Sequence, residues 1–117
     1  MKFMMIMESN PSAPPPSPET FGRLGAFMQR MQASGTLVLT GGLVRPSQGI
    51  QIKNEGGKVT ITDGPFAESK ELIDGFAVVE VKSKEEAIAV STEFMQIVGD
   101  GKGEILPMFE PGLPPPK

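Results

Sequence analysis

Residues 63–76 read DGPFAESKELIDGF and hold the densest set of side chains in the chain that are capable of chemistry. The carboxylates of Asp63, Glu68, Glu71 and Asp74, the Lys70 amine and the Ser69 hydroxyl fall between and within two turn signals, Asp63-Gly64-Pro65 and Asp74-Gly75. Connections that combine backbone punctuation with charge are where binding and catalytic groups tend to sit. A carboxylate serves as a base near neutral pH when burial raises its pKa, so Asp63 and Glu68 are the candidate proton acceptors. In that reading Lys70 and Arg45 clamp an anion, and Phe66 and Phe76 supply an apolar wall. A structural reading of the same residues stands beside it. Asp63-Gly64-Pro65 is then turn chemistry, with Asp63 bonding its own backbone, and Asp74-Gly75 a turn into a strand. Phe66 becomes a core plug, and Glu68, Lys70 and Glu71 form surface ion pairs of little energetic worth.

The missing residue types narrow the chemistry further. The chain has no histidine, so the usual general base near neutral pH and the commonest metal ligand are both lacking. It has no cysteine, which removes disulfides, thiolate catalysis and thiolate metal sites, and which suits a cytoplasmic location. The acids are scattered rather than set at ligand spacing, so neither a metal nor another cofactor is expected. A net charge of -3 with scattered basic residues lacks the footprint of a nucleic-acid binder. The start, MKFMMIM, has too short an apolar run for a signal peptide or a membrane span.

The elements that would position these groups follow from periodicity. Phe3 to Met7 is apolar on both faces, as expected of a strand in the middle of a covered sheet. The proline-rich SNPSAPPPSP is a connection. Ser17-Pro18-Glu19 starts a helix with an N-cap hydroxyl, proline in the first turn and an acid facing the dipole. Its core stripe is Phe21, Leu24, Met28 and Met31 with Phe27 beside them, and Gly35 ends it. Thr36 to Thr40 is a strand that Gly41-Gly42 bends or bulges. Ile50 to Lys53 and Lys58 to Thr62 form a hairpin about Asn54-Glu55-Gly56-Gly57. Asp74 to Lys82 is a second strand apolar on both faces. Ser83-Lys84-Glu85-Glu86 is a capping box opening a helix whose buried face is Ala87, Ile88, Ser91, Phe94, Met95 and Val98, stopped by Gly99. Glu104 to Phe109 is a strand that Pro107 assigns to a sheet edge. The domain is expected to span residues 1–110, with 111–117 a frayed proline-rich tail.

Without the inserted hairpin the order is βαββαβ, a ferredoxin-like α+β fold. Two helices cover one face of such a sheet. The second apolar face then calls for another cover, and a second copy of the chain is the economical one. A homodimer is the expected partner state.

The segment DGPFAESKELIDGFAVVEVKSKEEAI, with the opening KFMMIM, the GTLVLTGGL after the first helix and the closing GEILPMFE, resembles the DGPF-motif branch of the YCII-related proteins. The resemblance implies a dimeric α+β barrel. Some relatives carry a histidine near the first helix and an aspartate near the end of the second, proposed as an acid/base pair. With no histidine here, and Asp100 the only acid just after the second helix, that pair does not carry over. Related barrels hold oxygenases, isomerases and ligand-binding regulators, so the fold alone does not choose. Three functions remain open. The leading one is a dimeric protein binding a small apolar or anionic metabolite between its sheets. The others are a cofactor-free enzyme of isomerase or hydrolase type using carboxylates, and a regulatory or interaction accessory without a small-molecule site.

Overall fold

The computed structural model describes residues 1–8, 14–43, 49–63, 73–109, 111–112 and 114. In chain order the elements are β1 (Lys2–Glu8), α1 (Pro18–Ala33), β2 (Leu37–Gly42), β3 (Ile50–Glu55), β4 (Lys58–Asp63), β5 (Ile73–Glu80), α2 (Lys84–Val98) and β6 (Gly103–Pro107). Four strands make an antiparallel sheet in the order β2-β5-β1-β6, and β3 and β4 form a separate two-stranded ribbon. The chain is thus a mixed α+β fold with an antiparallel sheet and two helices.

The strands with two apolar faces, β1 and β5, lie in the middle, paired through Phe3↔Val79, Met4↔Val78, Met5↔Ala77 and Ile6↔Phe76. Alternation along the strands sends Phe3, Met5, Met7, Ala77 and Val79 to one face and Met4, Ile6, Phe76 and Val78 to the other. The first face meets the helices, where Phe3, Val79, Val81 and Ala87 form the core and Leu37, Val90 and Ile105 pack against it. On the second face Val78 is buried and Met4, Ile6 and Phe76 are half-buried, while Leu39 and Leu106 at the rims are exposed. Strand β6 is an edge strand. Its Pro107 sits opposite Phe3, which is where a residue without an N–H is tolerated.

Both helices begin as their sequences dictate. The Ser17 hydroxyl accepts a hydrogen bond from the Thr20 N–H at 3.1 Å, and that of Ser83 accepts one from the Glu86 N–H at 3.1 Å. The Glu86 carboxylate reaches back to the Lys82 N–H at 3.4 Å, one residue ahead of the cap, so the expected box closes on a neighbouring donor. Across the helix pair, the Phe27 and Phe94 rings lie 6.3 Å apart, and the Arg30 guanidinium sits 5.5 Å over Phe27 while pairing with Glu93.

Three local expectations are corrected. The irregularity in β2 falls between Leu37 and Leu39, not at the glycines, which stay paired as Gly41↔Phe76 and Gly42↔Gly75. Glycine at 41 nonetheless leaves room for a neighbour, because a Cβ there would meet the Phe76 ring at 3.1 Å and the ring would have to give by a few tenths of an ångström. Phe21 is exposed rather than part of the α1 core stripe, and Ile88 of α2 is exposed as well. Each lies off the sheet-facing side, so Phe27 on α1 and Val90 on α2 do the packing instead.

Core and surface phenylalanines should therefore separate cleanly. Phe3→Ala removes a side chain that is 4 % exposed and should cost about 3–5 kcal/mol. Phe21→Ala removes one that is 60 % exposed and should cost no more than about 0.5 kcal/mol. Urea denaturation of the two variants checks this, and equal losses would contradict the assignment of the core.

Candidate functional site

The inner face of the sheet is not filled by the helices. Gly75 and Ala77 on β5 and Gly42 on β2 give the sheet a low floor, and α1 and α2 bridge it, touching each other through Phe27 and Phe94. Beneath them lies a cavity of about 330 Å³. Helix α1 contributes Leu24, Phe27, Met28 and Met31, and α2 contributes Val90, Ser91 and Phe94. Met5 and Met7 come from β1, and Leu37, Thr40, Phe76, Ala77 and Val79 from β2 and β5. The volume is at the small end of the range for ligand sites.

Every one of these lining side chains is uncharged, and only two carry a hydroxyl. The Thr40 hydroxyl is already committed, donating to the Phe76 carbonyl at 2.9 Å. Ser91 differs. It is only 6 % exposed, yet its hydroxyl finds no hydrogen-bond partner among the described residues. Its neighbour Thr92, in contrast, donates to the Ile88 carbonyl at 2.7 Å. A buried hydroxyl without a partner is destabilising, and such groups tend to mark a role beyond packing. The four methionines Met5, Met7, Met28 and Met31 complete the wall with flexible, polarisable thioethers that adapt to an irregular occupant.

On the other side of Ser91, a groove of about 500 Å³ runs between α2 and β6, with Asp100 and Glu104 among its lining residues. Ser91 and Met5 border both spaces.

Of the residues singled out in the sequence, Phe76 borders the cavity from its place on β5, while strand alternation turns its side chain to the outer face. Asp63 does not border it. It is exposed at the end of β4, opposite Ile50 on the ribbon. Arg45, Phe66, Glu68 and Lys70 lie outside the described residues, so the expected anion clamp and the second acid stand apart from this geometry. The cavity lies between helices and sheet within one chain, not on the face expected to meet a second sheet. Helical spacing assigns Met28 and Met31 to core packing, and Ser91 to the buried face of α2. A hydroxyl in the midst of Ala87, Val90 and Phe94 was the available signal.

The YCII-related domain matches residues 1–104, and the chain belongs to that family. An uncharacterized protein of Rhizobium meliloti (strain 1021) is 27 % identical over 92 residues, spanning 76 % of this chain and 74 % of that protein. Among solved structures, the chain is similar to the 5-chloro-2-hydroxyhydroquinone dehydrochlorinase of Burkholderia phenoliruptrix AC1100 in complex with 2,5-dihydroxybenzoquinone. That likeness has a TM-score of 0.49 and 12 % identity, and covers 93 % of this chain and 94 % of the other.

If the Ser91 hydroxyl is kept without a partner for a ligand, removing it should help the empty protein. Ser91→Ala is expected to raise the unfolding free energy by about 1 kcal/mol, the low end of the penalty for a buried unpaired group. Calorimetry of the ligand-free variant should show a melting point higher by a few degrees. A melting point lower than that of the parent protein would show that the hydroxyl stabilises the fold instead.

Proposed function

We propose that the protein binds a small, largely apolar molecule carrying at least one hydrogen-bonding group, in the cavity under its helices, and that it works as a homodimer. The observation that carries the binding reading is the pairing, among the described residues, of an uncharged, methionine-lined cavity with one buried hydroxyl that has no hydrogen-bond partner. Such a site offers an occupant apolar contact on all sides and a single polar handle. A carboxylate-based reaction needs an acid beside the bound molecule, and none of the described residues that line the cavity is ionisable. Binding is therefore favoured over catalysis at this site.

The dimer reading rests on the second sheet face. Met4, Ile6, Phe76 and Val78 make it apolar, and both α1 and α2 lie on the opposite side. Two copies joined by those faces would give the dimeric α+β barrel of two ferredoxin-like units. The Asp63–Phe66 sequence places the chain, in this reading, in the DGPF-motif branch of its family. A cytoplasmic setting accords with the cysteine-free composition, and no helix among the described residues is long and apolar enough to cross a membrane.

Methionine methyl groups provide the test, because four of the eight methionines line the cavity. In protein labelled at the methionine methyl carbons, titration with phenol should shift Met5, Met7, Met28 and Met31 and leave the exposed Met1 and Met108 in place. Toluene should do the same. Ser91→Ala should weaken phenol about tenfold, the worth of one good hydrogen bond, and leave toluene unchanged. Ala77→Leu, which fills the floor, should block both. Shifts confined to Met1 and Met108, or none at millimolar phenol, would falsify the binding site.

A further inference from the structure

We infer that the β3–β4 ribbon is a dimerisation arm, whose isoleucine face packs on the rim of the outer sheet face of a second copy of the chain, beside the sheet-to-sheet contact. The inference rests on the dimer proposed above and adds to it a specific contact.

The ribbon's register sets its chemistry. Ile52 lies opposite Ile61, Asn54 opposite Val59 and Ile50 opposite Asp63, and paired residues share a face. One face therefore collects Ile50, Ile52, Val59 and Ile61, with Asn54 and Asp63 at its two ends. The other holds only Gln51, Lys53, Glu55, Lys58, Thr60 and Thr62. The turn between them is well formed, with Gly56 at φ 57° and Gly57 at φ 87°, the conformation a two-residue hairpin turn requires. This pattern is that of a strand pair with one face buried. Yet all twelve residues of β3 and β4 are exposed, and the four aliphatic side chains are between 55 % and 70 % accessible.

Among the described residues, the ribbon does not find its cover within the chain. Its substantial contacts among the described residues are between its own two strands. A two-stranded hairpin alone in water is marginal, and it needs a third strand or a packed face to persist. The chain's radius of gyration is 16.6 Å, against about 13 Å for a compact domain of this length, which agrees with an arm standing off the body.

A second copy is the occupant that satisfies both unfinished surfaces at once. The outer sheet face is also apolar, with Leu39 at 57 % and Leu106 at 41 % accessibility on its two edge strands. In a closed two-fold pair each chain lends its ribbon and receives its partner's, so neither surface is left over. The area is of the right order. At roughly 100 Å² per aliphatic side chain, the four ribbon residues with Leu39 and Leu106 expose on the order of 350 Å² of apolar surface. The apolar share of a standard interface is about 450 Å² per partner, so these residues would supply most of it. The ribbon's outward face, with Lys53, Glu55 and Lys58, would remain in water and keep the assembly from adding further copies.

The test uses the full chain and two readouts. By analytical ultracentrifugation the parent protein should sediment at twice the 12.5 kDa chain mass at micromolar concentration. The doubly substituted Ile52→Lys, Ile61→Lys protein should sediment as the single chain, with a dissociation constant raised at least 100-fold. Both positions are exposed, so its circular dichroism and its phenol-induced methionine shifts should match the parent's. In a sample mixed from Ile-methyl-labelled and Leu-methyl-labelled chains, nuclear Overhauser effects should connect ribbon isoleucines to Leu39 or Leu106 across chains. If the double variant stays dimeric with unchanged affinity, the arm is wrong and the dimer stands. If those Overhauser effects occur only when both labels are on one chain, the ribbon folds onto its own sheet and the inference fails. A parent protein that is monomeric at 100 μM would remove the dimer and the arm together, leaving ligand binding to be judged by its own titration.

Discussion

The antiparallel pairing of β1 with β5 sets the terms for the rest of the molecule. Its register puts Phe3 against Val79 and Met5 against Ala77 on the helix side, and Met4 against Val78 on the far side. Both strands are apolar throughout, so whichever face the helices take, a second apolar face remains. The helices gain their hold where the side chains are large, at Phe3, Val79 and Ile105. Further along β5 the residues shrink to Ala77 and Gly75, and the helices can no longer follow the sheet down. Phe27 meets Phe94 above this low floor, with Arg30 stacked on Phe27 and paired to Glu93. The cavity is the space between a bridge of two rings and a floor of small residues. It is thus a consequence of where bulk is placed along one strand, and needs no special loop.

Much of the architecture could be read from the residues because local and long-range preferences agree. Proline and hydroxyl caps fix both helix starts, and Ser17 and Ser83 make the bonds their positions imply. The doubly apolar strands are central and the proline-bearing strand is at an edge. The departures have two physical causes. Helical spacing says which residues share a face, but not which part of that face the sheet covers. Phe21 and Ile88 satisfy the spacing and still point away from the core, because the contact is narrower than the apolar stripe. Glycine permits a bulge at Gly41-Gly42, whereas the structure keeps both paired and brings Phe76 close to Gly41 alone. Permission and requirement are different constraints, and a sequence displays only the first.

The site was less legible for a related reason. Charge is conspicuous in a sequence, and the 63–76 segment is conspicuous because its ionisable groups are clustered. A cavity has no such mark, since it is defined by atoms that are absent. Gly75 and Ala77 read as ordinary small residues in a strand, and Met5, Met7, Met28 and Met31 as ordinary core. Only once β5 is laid beside β1 and the helices are placed above them do these residues surround one space. Phe76 was named in the sequence as an apolar wall and borders that space, but Asp63, named beside it, stands on the ribbon. Chain proximity did not survive as proximity in space, because the ribbon leaves the sheet.

The composition of the cavity wall bears on how it would discriminate among occupants. Four unbranched thioether side chains can shift rotamers at low cost, so shape alone selects weakly among molecules of similar size. A buried hydroxyl selects strongly. An occupant that satisfies the Ser91 oxygen removes the penalty of leaving it bare, and one that cannot must endure that penalty. Discrimination in a site of this kind falls on one polar position, with tolerance around it. In the function proposed above, the inner face selects the molecule held, through Ser91 and the methionines. In the assembly proposed above, the contacts between copies come from the outer face and the β3–β4 ribbon, whose Ile50, Ile52, Val59 and Ile61 are not among the residues lining the cavity. Since the two sets lie on opposite sides of β1 and β5 or beyond the sheet altogether, changes in one need not disturb the other. Neighbouring positions along a strand, such as Met4 and Met5, can therefore serve separate tasks because the backbone turns them to opposite faces.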